Sequence, residues 1–331
     1  MQHISFATLE DRSTGPSQTP GCHARLALAF CALIAAAVCL PGCGRSSSGE
    51  VVVYAAQDQV FAEPILRDFT RETGIKVRTV FDSEAVKTVG LANRLLAETN
   101  RPQADVFWGN EELRTRQLAA RGVFRATNGW AAFGFRSRRL VANTRLAPQL
   151  TVTNVVFLRE LTNQVWRGKV ALAYPLFGTT ATHFHALRQY WGTAAWEQWC
   201  RALQANKPFL VDGNSVVVNL VGRGEAALGL TDSDDIAAGQ KRGYPIIALP
   251  LTEETLLIPN TVAVVKNGPH PAEAEALFRY LQSRPVLDAL LNAEALEGAQ
   301  PGLRPHLRVR WDELLRDLDD TNERLKQIFL R

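Results

Sequence analysis

Short apolar runs rich in β-branched residues alternate with amphipathic segments along most of this chain, and this alternation constrains the fold most strongly. The first run, Val51-Val52-Val53-Tyr54, suits a strand buried on both faces of a sheet. An apolar face with helical spacing follows it, and Gly74 stands where that helix would end. Further segments continue the alternation, with strands over 75–81 and 105–108 and helices over 85–98 and 113–121. The pattern predicts an α/β fold whose sheet is covered by helices on both faces.

The same unit recurs in the middle of the chain. Its predicted strands are 169–173, 209–211 and 226–230, and its predicted helices are 182–205, with a turn signal at Gly192, and 215–221. Extended crossings near Asn143 and Pro259 connect the two units. A helix that opens at Pro271 and an amphipathic helix over 311–329 complete the chain. Two α/β units joined by two extended crossings predict two lobes with a ligand cleft between them.

The N-terminal segment has the layout of a secretory signal. Its apolar run, Leu26 to Leu40, is shorter than the roughly 20 residues of a membrane span. The run leads into Pro41-Gly42-Cys43, which resembles the lipobox of bacterial lipoproteins. We therefore expect residues 1–42 to be a lipoprotein signal peptide and residues 43–50 to be a tether, lipid-anchored through Cys43 in the periplasm or cell envelope. A buried helix and a retained signal anchor are the alternatives.

Composition excludes several classes of protein. Of the 331 residues 46% are apolar, as in a soluble globular protein, and the net charge of +4 is spread over mixed basic and acidic residues. The clustered basic face of a nucleic-acid-binding protein is not visible. Cys200 is the one cysteine after Cys43, so a disulfide within the mature chain is excluded. Because the sequence shows no catalytic motif, we expect a monomeric binding protein without cofactor or metal, and not an enzyme.

Candidate binding residues follow the predicted strands, because ligands of open α/β sheets bind beyond the carboxyl ends of the strands. In the first unit these are Gln57, Asp58, Trp108 and Asn110. In the second unit, two helix starts contribute Gly178, Thr179, Thr180, Asn214 and Ser215. Free backbone N–H groups and hydroxyls at helix starts hold phosphate-like anions. The alternative interpretation is ordinary helix capping.

A third candidate segment, Thr231-Asp232-Ser233-Asp234-Asp235, carries three carboxylates within five residues. The carboxylates could bind a hard cation, although the segment lacks the glycine and the final glutamate of a calcium loop. They could instead cap the following helix, or face an ammonium group on the ligand. Thr231, Asp232 and Asp234 therefore join the candidate binding residues, and Asp58 of the first unit could act with them.

Several longer segments occur in an order typical of a known family. They are VVVYAAQD, FTRETGIKV, ADVFWGNE, PLFGTTATHF, VDGNSVVVNLVGRGEAALGLTDSDD and IPNTVAVVKNGPHP. With these segments the chain resembles the type II periplasmic solute-binding proteins of ABC importers, in particular the ferric-ion-binding group. The resemblance implies a first lobe over 51–142 and 258–331, a second lobe over 143–257, and closure of both around a small-molecule ligand. It also implies an ABC permease and ATPase as partners.

The chain departs from the ferric-ion-binding group at the ligand positions. That group uses a histidine in the first loop, an acid after the third strand and a tyrosine pair in the second lobe. At those places this chain has Asp58, then Asn110 and Glu111, then the segment from Thr231 to Asp235. Phenolates are hard anionic donors that select ferric ion. We therefore expect a phosphate- or phosphonate-type ligand. Ferric ion held by carboxylates and a bound anion is the alternative, and an extracytoplasmic hydrolase is the alternative from another class.

Overall fold

The computed structural model describes residues 49–81, 87–298 and 307–330. The predicted signal peptide, Cys43 and most of the tether lie outside these residues, so lipid anchoring stays a prediction. Among the described helices, none combines the length and the apolar character needed to cross a membrane.

One mixed sheet organises the described residues. Its strands are β1 (Glu50–Ala55), β2 (Lys76–Val80), β3 (Val106–Gly109), β4 (Trp130–Asn143), β5 (Val170–Ala173), β6 (Phe209–Val211), β7 (Leu228–Asp232), β8 (Ile246–Ala248) and β9 (Leu257–Val264). Their order is β2-β1-β3-β9-β4-β7-β5-β6, with β8 paired to β4 beside this path. Strands β2, β1 and β3 are parallel, as are β6, β5 and β7, whereas β4 and β9 are antiparallel to their neighbours. The two parallel groups are the two predicted α/β units.

Helices cover both faces of this sheet. They are α1 (Gln59–Thr73), α2 (Lys87–Ala97), α3 (Glu112–Ala120), α4 (Gly178–Trp191), α5 (Thr193–Ala205), α6 (Asn214–Arg223), α7 (Ser233–Lys241), α8 (Pro271–Leu281), α9 (Arg284–Asn292), α10 (Trp311–Arg316) and α11 (Leu318–Phe329). Alternate residues of β1 show the two covered faces. Val51 and Val53 pack in the cluster that includes α1 and α8, whereas Val52 and Tyr54 pack in the cluster that includes α2.

Strands β4 and β9 form the connection between the two units. They pair antiparallel, and β4 is one continuous strand of 14 residues. The register shifts at Gly134, whose φ of 57° lies in the left-handed region that favours glycine. Pro259 of β9 pairs with Phe135 beside this shift. The other predicted crossing corresponds to β4, which ends at Asn143, and this residue lies buried with its amide donating to the Val221 carbonyl.

Buried apolar side chains form separate clusters in the two units, which we call the first lobe (β1–β3, α1–α3, α8, α9) and the second lobe (β5–β8, α4–α7). The C-terminal helix α11 packs on the second lobe, where Leu325, Ile328 and Phe329 share a cluster with Phe184. The range 258–331 predicted for the first lobe therefore contains a segment that covers the other lobe. The reason is that an amphipathic pattern predicts a helix but not the core it covers.

Two long predicted helices are interrupted. The helix predicted over 182–205 is divided at Gly192, whose φ is 79°, and its first part already begins at Gly178. The helix predicted over 311–329 is divided at Asp317. Strand β8 and helix α9 add to the predicted elements. The earlier start of α4 places Thr179 and Thr180 in the first turn of a helix instead of the preceding loop.

Candidate functional site

A buried pair of opposite charges lies where β4 pairs with β7. Arg138 and Asp232 stand directly opposite each other in the antiparallel register. Arg138 Nη1 donates to Asp232 Oδ1 over 2.8 Å, and both side chains are almost completely buried. Opposite charges at facing positions stabilise a strand pair, but a buried pair does so only where its remaining polar atoms are also bonded.

Two helix starts supply such bonds. Thr179, in the first turn of α4, donates its hydroxyl to Asp232 Oδ2 over 2.8 Å. Asn214, the first residue of α6, donates from Nδ2 to Thr179 Oγ1 and to Asp232 Oδ2, and its Oδ1 accepts from Arg138. The predicted anion donors Thr179 and Asn214 therefore hold a carboxylate of the protein itself in this conformation.

A second arginine extends the charged cluster toward the first lobe. Arg136 lies two residues before Arg138 on the same face of β4, and its Nη1 donates to Asp234 Oδ2 over 3.3 Å. Its Nε lies 3.3 Å from Asp232 Oδ2, and its Nη2 donates to the Asn110 carbonyl over 3.0 Å. Arg136 thus joins the acids of the second lobe to the backbone that follows β3 in the first.

Burial and the neighbouring charges shift the pKa values of Asp232 and Asp234 in opposite directions. Burial opposes ionisation of Asp232, but Arg138 and Arg136 outweigh it and hold the pKa of Asp232 below its usual value. Burial raises the pKa of Asp234 to about 7 against the pull of Arg136, and the charges of Asp232 and Asp58 act in the same direction as burial. Asp232 is therefore an anion at neutral pH, where Asp234 titrates.

Asp232, Asp234 and Asp235 form a group that could hold a cation. Their carboxylate oxygens lie within 4.8 Å of one another, at the end of β7 and in the first turn of α7. Asp234 Oδ1 is buried and makes no hydrogen bond in the described structure. Carboxylate oxygens suit a hard cation. The guanidinium groups beside them suit an accompanying anion.

The first lobe also contributes neutral polar side chains. Gln57 after β1, Trp108 in β3 and Asn260 in β9 are each 0% exposed. Neither amide nor the indole N–H has a hydrogen-bond partner in the described structure. Folded proteins leave few buried polar groups without a partner. These three residues therefore depart from that rule within the described structure.

A side-chain contact joins the two lobes beside the charged cluster. Glu111 caps α3 by accepting from the Arg114 N–H over 3.0 Å, and its second oxygen accepts from the Thr182 hydroxyl of α4 over 3.0 Å. Glu111 is almost completely buried, and this burial raises its pKa against the pull of Arg114. The described conformation is therefore one in which the lobes touch.

The structure brings the predicted residues of the second lobe together. Direct hydrogen bonds connect Thr179, Thr180, Asn214, Thr231 and Asp232. Gly178 and Ser215 lie beside them in the first turns of α4 and α6, and Asp234 joins them through Arg136. In the first lobe, Asp58 acts electrostatically on Arg136, and Asn110 contacts it through its carbonyl. Whether these residues bind the ligand stays a prediction.

Three residues of this site were not predicted. Arg136 and Arg138 lie at positions i and i+2 of an extended segment, and that spacing is a signal that both side chains share one face of a strand. Asn260 carries no comparable signal beyond its place after Pro259. Both arginines were overlooked because the segment looked like a connection between lobes and not like part of a site.

One family model matches the chain along most of its length. The model describes a bacterial extracellular solute-binding protein and covers residues 50–291. The chain belongs to this family. The predicted type II periplasmic-binding-protein fold of this solute-binding protein is confirmed by its likeness to solved structures of that kind.

Curated proteins and solved structures are similar to this chain over most of its length. The major ferric iron-binding protein of Neisseria meningitidis serogroup A is 25% identical over 284 residues, covering 78% of this chain and 82% of the relative. Iron-bound HitA from Pseudomonas aeruginosa has a TM-score of 0.71 at 20% identity, covering 84% of this chain and 99% of HitA. AfuA from Actinobacillus pleuropneumoniae, with exogenous fructose-6-phosphate bound, has a TM-score of 0.73 at 17% identity, covering 86% and 99%. These solved structures share the fold of this solute-binding protein.

Proposed function

We propose that this solute-binding protein serves an ABC importer outside the cytoplasmic membrane and that its cargo contains a hard cation, with ferric ion as the candidate. The observation that carries the proposal is the group of three carboxylates whose oxygens lie within 4.8 Å of one another. Hard anionic oxygens are the donors that ferric ion prefers, and carboxylates supply them as phenolates do. The ferric iron-binding relative from Neisseria supports this choice.

In this proposal some residues of the cluster bind the cation and others bind an accompanying anion. Asp234 and Asp235 would hold the cation, and Asp58 would approach it from the first lobe, since its charge already acts on Asp234. Arg136 would hold an accompanying anion, because a guanidinium group pairs well with carboxylate or phosphate oxygens. Asp232 would stay with Arg138 as the fixed part of the site. Closure of the lobes around the cargo would supply the affinity.

A phosphate- or phosphonate-type anion is the second candidate. Two arginines and two helix starts surround Asp232, and AfuA, which shares the fold, holds a sugar phosphate. Such an anion would compete with the Asp232 carboxylate for Thr179 and Asn214, whereas a cation at Asp234 leaves those bonds in place. This competition is why we place the cation first.

A thermal-shift panel tests the proposal, because a ligand bound only by the folded state raises the melting temperature. The panel contains ferric citrate, inorganic phosphate, fructose 6-phosphate, an aminophosphonate and a polyamine. We expect ferric citrate to raise Tm, Asp234→Asn to abolish that shift, and the control Asp68→Asn on the outer helix α1 to keep it. A shift with a phosphorus compound and none with ferric citrate would assign the second candidate instead.

The anchor and the partners are part of the same proposal. Cys43→Ala should move the protein from the membrane fraction to the soluble fraction, because it removes the residue predicted to carry lipid. A variant that still sediments with membranes would support the retained signal anchor. Copurification of a permease and an ATPase with the wild-type protein, together with a monomeric elution volume of the released protein, would support the predicted partners and oligomeric state.

A further inference from the structure

We propose that Gln57, Trp108 and Asn260 form a subsite for a hydroxyl-bearing organic part of the cargo, and we call these three residues the amide subsite. The inference rests on the proposed function only in placing the cargo in the cleft between the lobes. It adds that the cargo is a polyhydroxylated or hydroxycarboxylate molecule, alone or as the chelator of an ion, and not a bare ion.

The strand register places Gln57 and Trp108 on one face of the sheet. Ala55 stands beside Trp108 in the parallel β1–β3 ladder, and both pack in the same apolar cluster. Ala56 packs on the opposite face and still donates its N–H to the Trp108 carbonyl over 2.8 Å. The alternation of side chains between the two faces of the sheet therefore continues beyond Ala55, so Gln57 lies on the same face as Trp108.

The same argument places Asn260 on that face. Trp108 stands opposite Val262 in the antiparallel β3–β9 ladder, and Asn260 precedes Val262 by two residues. On its other side Asn260 stands opposite Phe133 of β4. The rings of Trp108 and Phe133 lie 6.3 Å apart between centroids. The two amides thus adjoin a pair of aromatic rings.

The polar atoms of the amide subsite have no partners. Both terminal atoms of Gln57, both of Asn260 and the indole nitrogen of Trp108 make no hydrogen bond in the described structure, although all three residues are 0% exposed. Unpartnered buried groups oppose folding, and natural proteins leave few of them. Three such residues on one face of three adjacent strands indicate a common missing partner.

That partner must both donate and accept hydrogen bonds. The amide oxygens of Gln57 and Asn260 need donors, whereas the amide nitrogens and the Trp108 N–H need acceptors. A metal ion could engage only the oxygens, and an ionised phosphate or carboxylate only the N–H groups. A hydroxyl donates and accepts at once. A polyol or hydroxycarboxylate, with its C–H groups against the aromatic rings, therefore fits.

The amide subsite adjoins the charged cluster. Gln57 is followed directly by Asp58, whose charge acts on Arg136 and Asp234. Arg136 lies on β4 three residues after the position that faces Asn260. One molecule can therefore place its hydroxyls at the amide subsite and its carboxylate, phosphate or chelated ion at the charged cluster.

The stability of the ligand-free protein gives the first test. Asn260→Leu and Gln57→Met keep the side-chain size and remove unpartnered amides, so each should raise Tm by about 2 °C. Asn206→Leu is the matched control, because this buried amide donates to the carbonyls of Leu161 and Asn163 and its loss should lower Tm. If Asn260→Leu and Gln57→Met lower Tm as Asn206→Leu does, the amides are satisfied within the fold and the amide subsite is refuted.

Ligand titration gives the second test. Ferric citrate, iron-free citrate and fructose 6-phosphate carry hydroxyls, whereas ferric pyrophosphate presents the metal without a carbon-bound hydroxyl. For each hydroxyl-bearing probe that binds the wild-type protein, Asn260→Leu and Gln57→Met should raise the dissociation constant about tenfold or more. Both variants should bind ferric pyrophosphate as the wild type does, and Asn206→Leu should bind every probe unchanged.

The outcomes separate this inference from the proposed function. If the wild type binds ferric complexes and the two variants bind them equally well, the amide subsite is wrong and the ferric cargo stands. If iron-free citrate or fructose 6-phosphate alone binds, and the variants lose it, the amide subsite stands and the ferric cargo is wrong. If no probe binds the wild type, the comparison of melting temperatures decides.

Discussion

The two lobes differ in their buried polar side chains, which form an ion pair in one lobe and are neutral and unpartnered in the other. On the second lobe, the buried Arg138–Asp232 pair is bonded by Thr179 and Asn214. On the first lobe, the amide subsite is neutral and has no partners within the described structure. An unpaired buried charge costs about 3–5 kcal/mol, whereas an unpaired neutral group costs about 1–3 kcal/mol. The Arg138–Asp232 ion pair is therefore formed before any ligand binds, whereas the neutral amides can remain without partners until a ligand binds.

We expect the largest loss of stability when Arg138 of the buried ion pair is replaced. Arg138→Leu should lower the free energy of unfolding by about 3–5 kcal/mol, because Asp232 stays buried without its main partner. Urea denaturation measures the change, and Arg67→Leu on the exposed face of α1 should stay within about 0.5 kcal/mol of the wild type. Adding Asp232→Leu to Arg138→Leu should recover much of the loss. A single variant as stable as the control would show that the pair is not needed for folding.

The next effect is a pH dependence at Asp234. Burial raises the pKa of Asp234 to about 7, compared with about 3.9 in an unfolded chain. Between these values the folded protein keeps a proton that the unfolded chain has released, so stability falls as pH rises from about 4 to about 7. Asparagine does not titrate. Asp234→Asn should therefore gain stability relative to the wild type by up to about 1.4 kcal/mol per pH unit in this window.

Urea denaturation at intervals from about pH 4 to pH 8 measures this difference. Burial lowers the pKa of His183 and of His185 to about 3, so in this range the two histidines gain protons in the unfolded chains of both proteins, and their effect cancels in the difference. The control Thr70→Val removes no titratable group and should differ from the wild type by a constant amount. A constant difference for Asp234→Asn as well would show that this acid is ionised throughout.

A smaller effect is expected at Thr179. Thr179→Val keeps the shape of the side chain and removes the hydroxyl that donates to Asp232 and accepts from Asn214. Because one partner is charged, the free energy of unfolding should fall by about 1.5–3 kcal/mol. The control Thr70→Val removes a hydroxyl that donates only to the Leu66 carbonyl within α1, and it should cost less. Equal losses in the two variants would mean that the Thr179 hydroxyl adds nothing special to the second lobe.

Local signals explain why the fold was predictable from the sequence. The β-branched run of β1 and the glycine that ends α1 both lie within a few residues of the structure they specify, and Gly74 indeed adopts a φ of 74°. The turn signal at Gly192 was local in the same way, whereas the interruption at Asp317 was missed because a continuous apolar face hides a one-residue break. The packing of α11 on the second lobe was missed because an amphipathic pattern predicts a helix but not the core that the helix covers.

Site residues could be predicted from the sequence only where they directly follow the end of a predicted strand. Residues at strand ends such as Asp58 and Thr179 follow from a general rule about α/β sheets. Arg138 and Asp232 are 94 residues apart, and nothing in either segment reveals that β4 and β7 place them opposite each other. Asn260 was missed for a similar reason, because its lack of a partner is a property of the packed structure and not of the sequence.

The smallest effect concerns the contact between the lobes. Thr182→Val removes the hydroxyl that donates to Glu111, leaving that buried oxygen without this bond only while the lobes touch. Opening lets water reach Glu111, whereas its other bond, to the Arg114 N–H, lies within α3 and survives. The variant should therefore favour the open state by about 1 kcal/mol, which weakens binding of ferric citrate about fivefold.

Tryptophan fluorescence titration measures the binding, and small-angle scattering of the ligand-free protein should give a larger radius of gyration for Thr182→Val than for the wild type. Thr70→Val should change neither quantity, because its hydroxyl bonds within one helix of the first lobe. If Thr182→Val leaves both quantities unchanged, the Glu111 contact does not hold the lobes together, and other contacts, such as the one from Arg136 to the Asn110 carbonyl, do so instead.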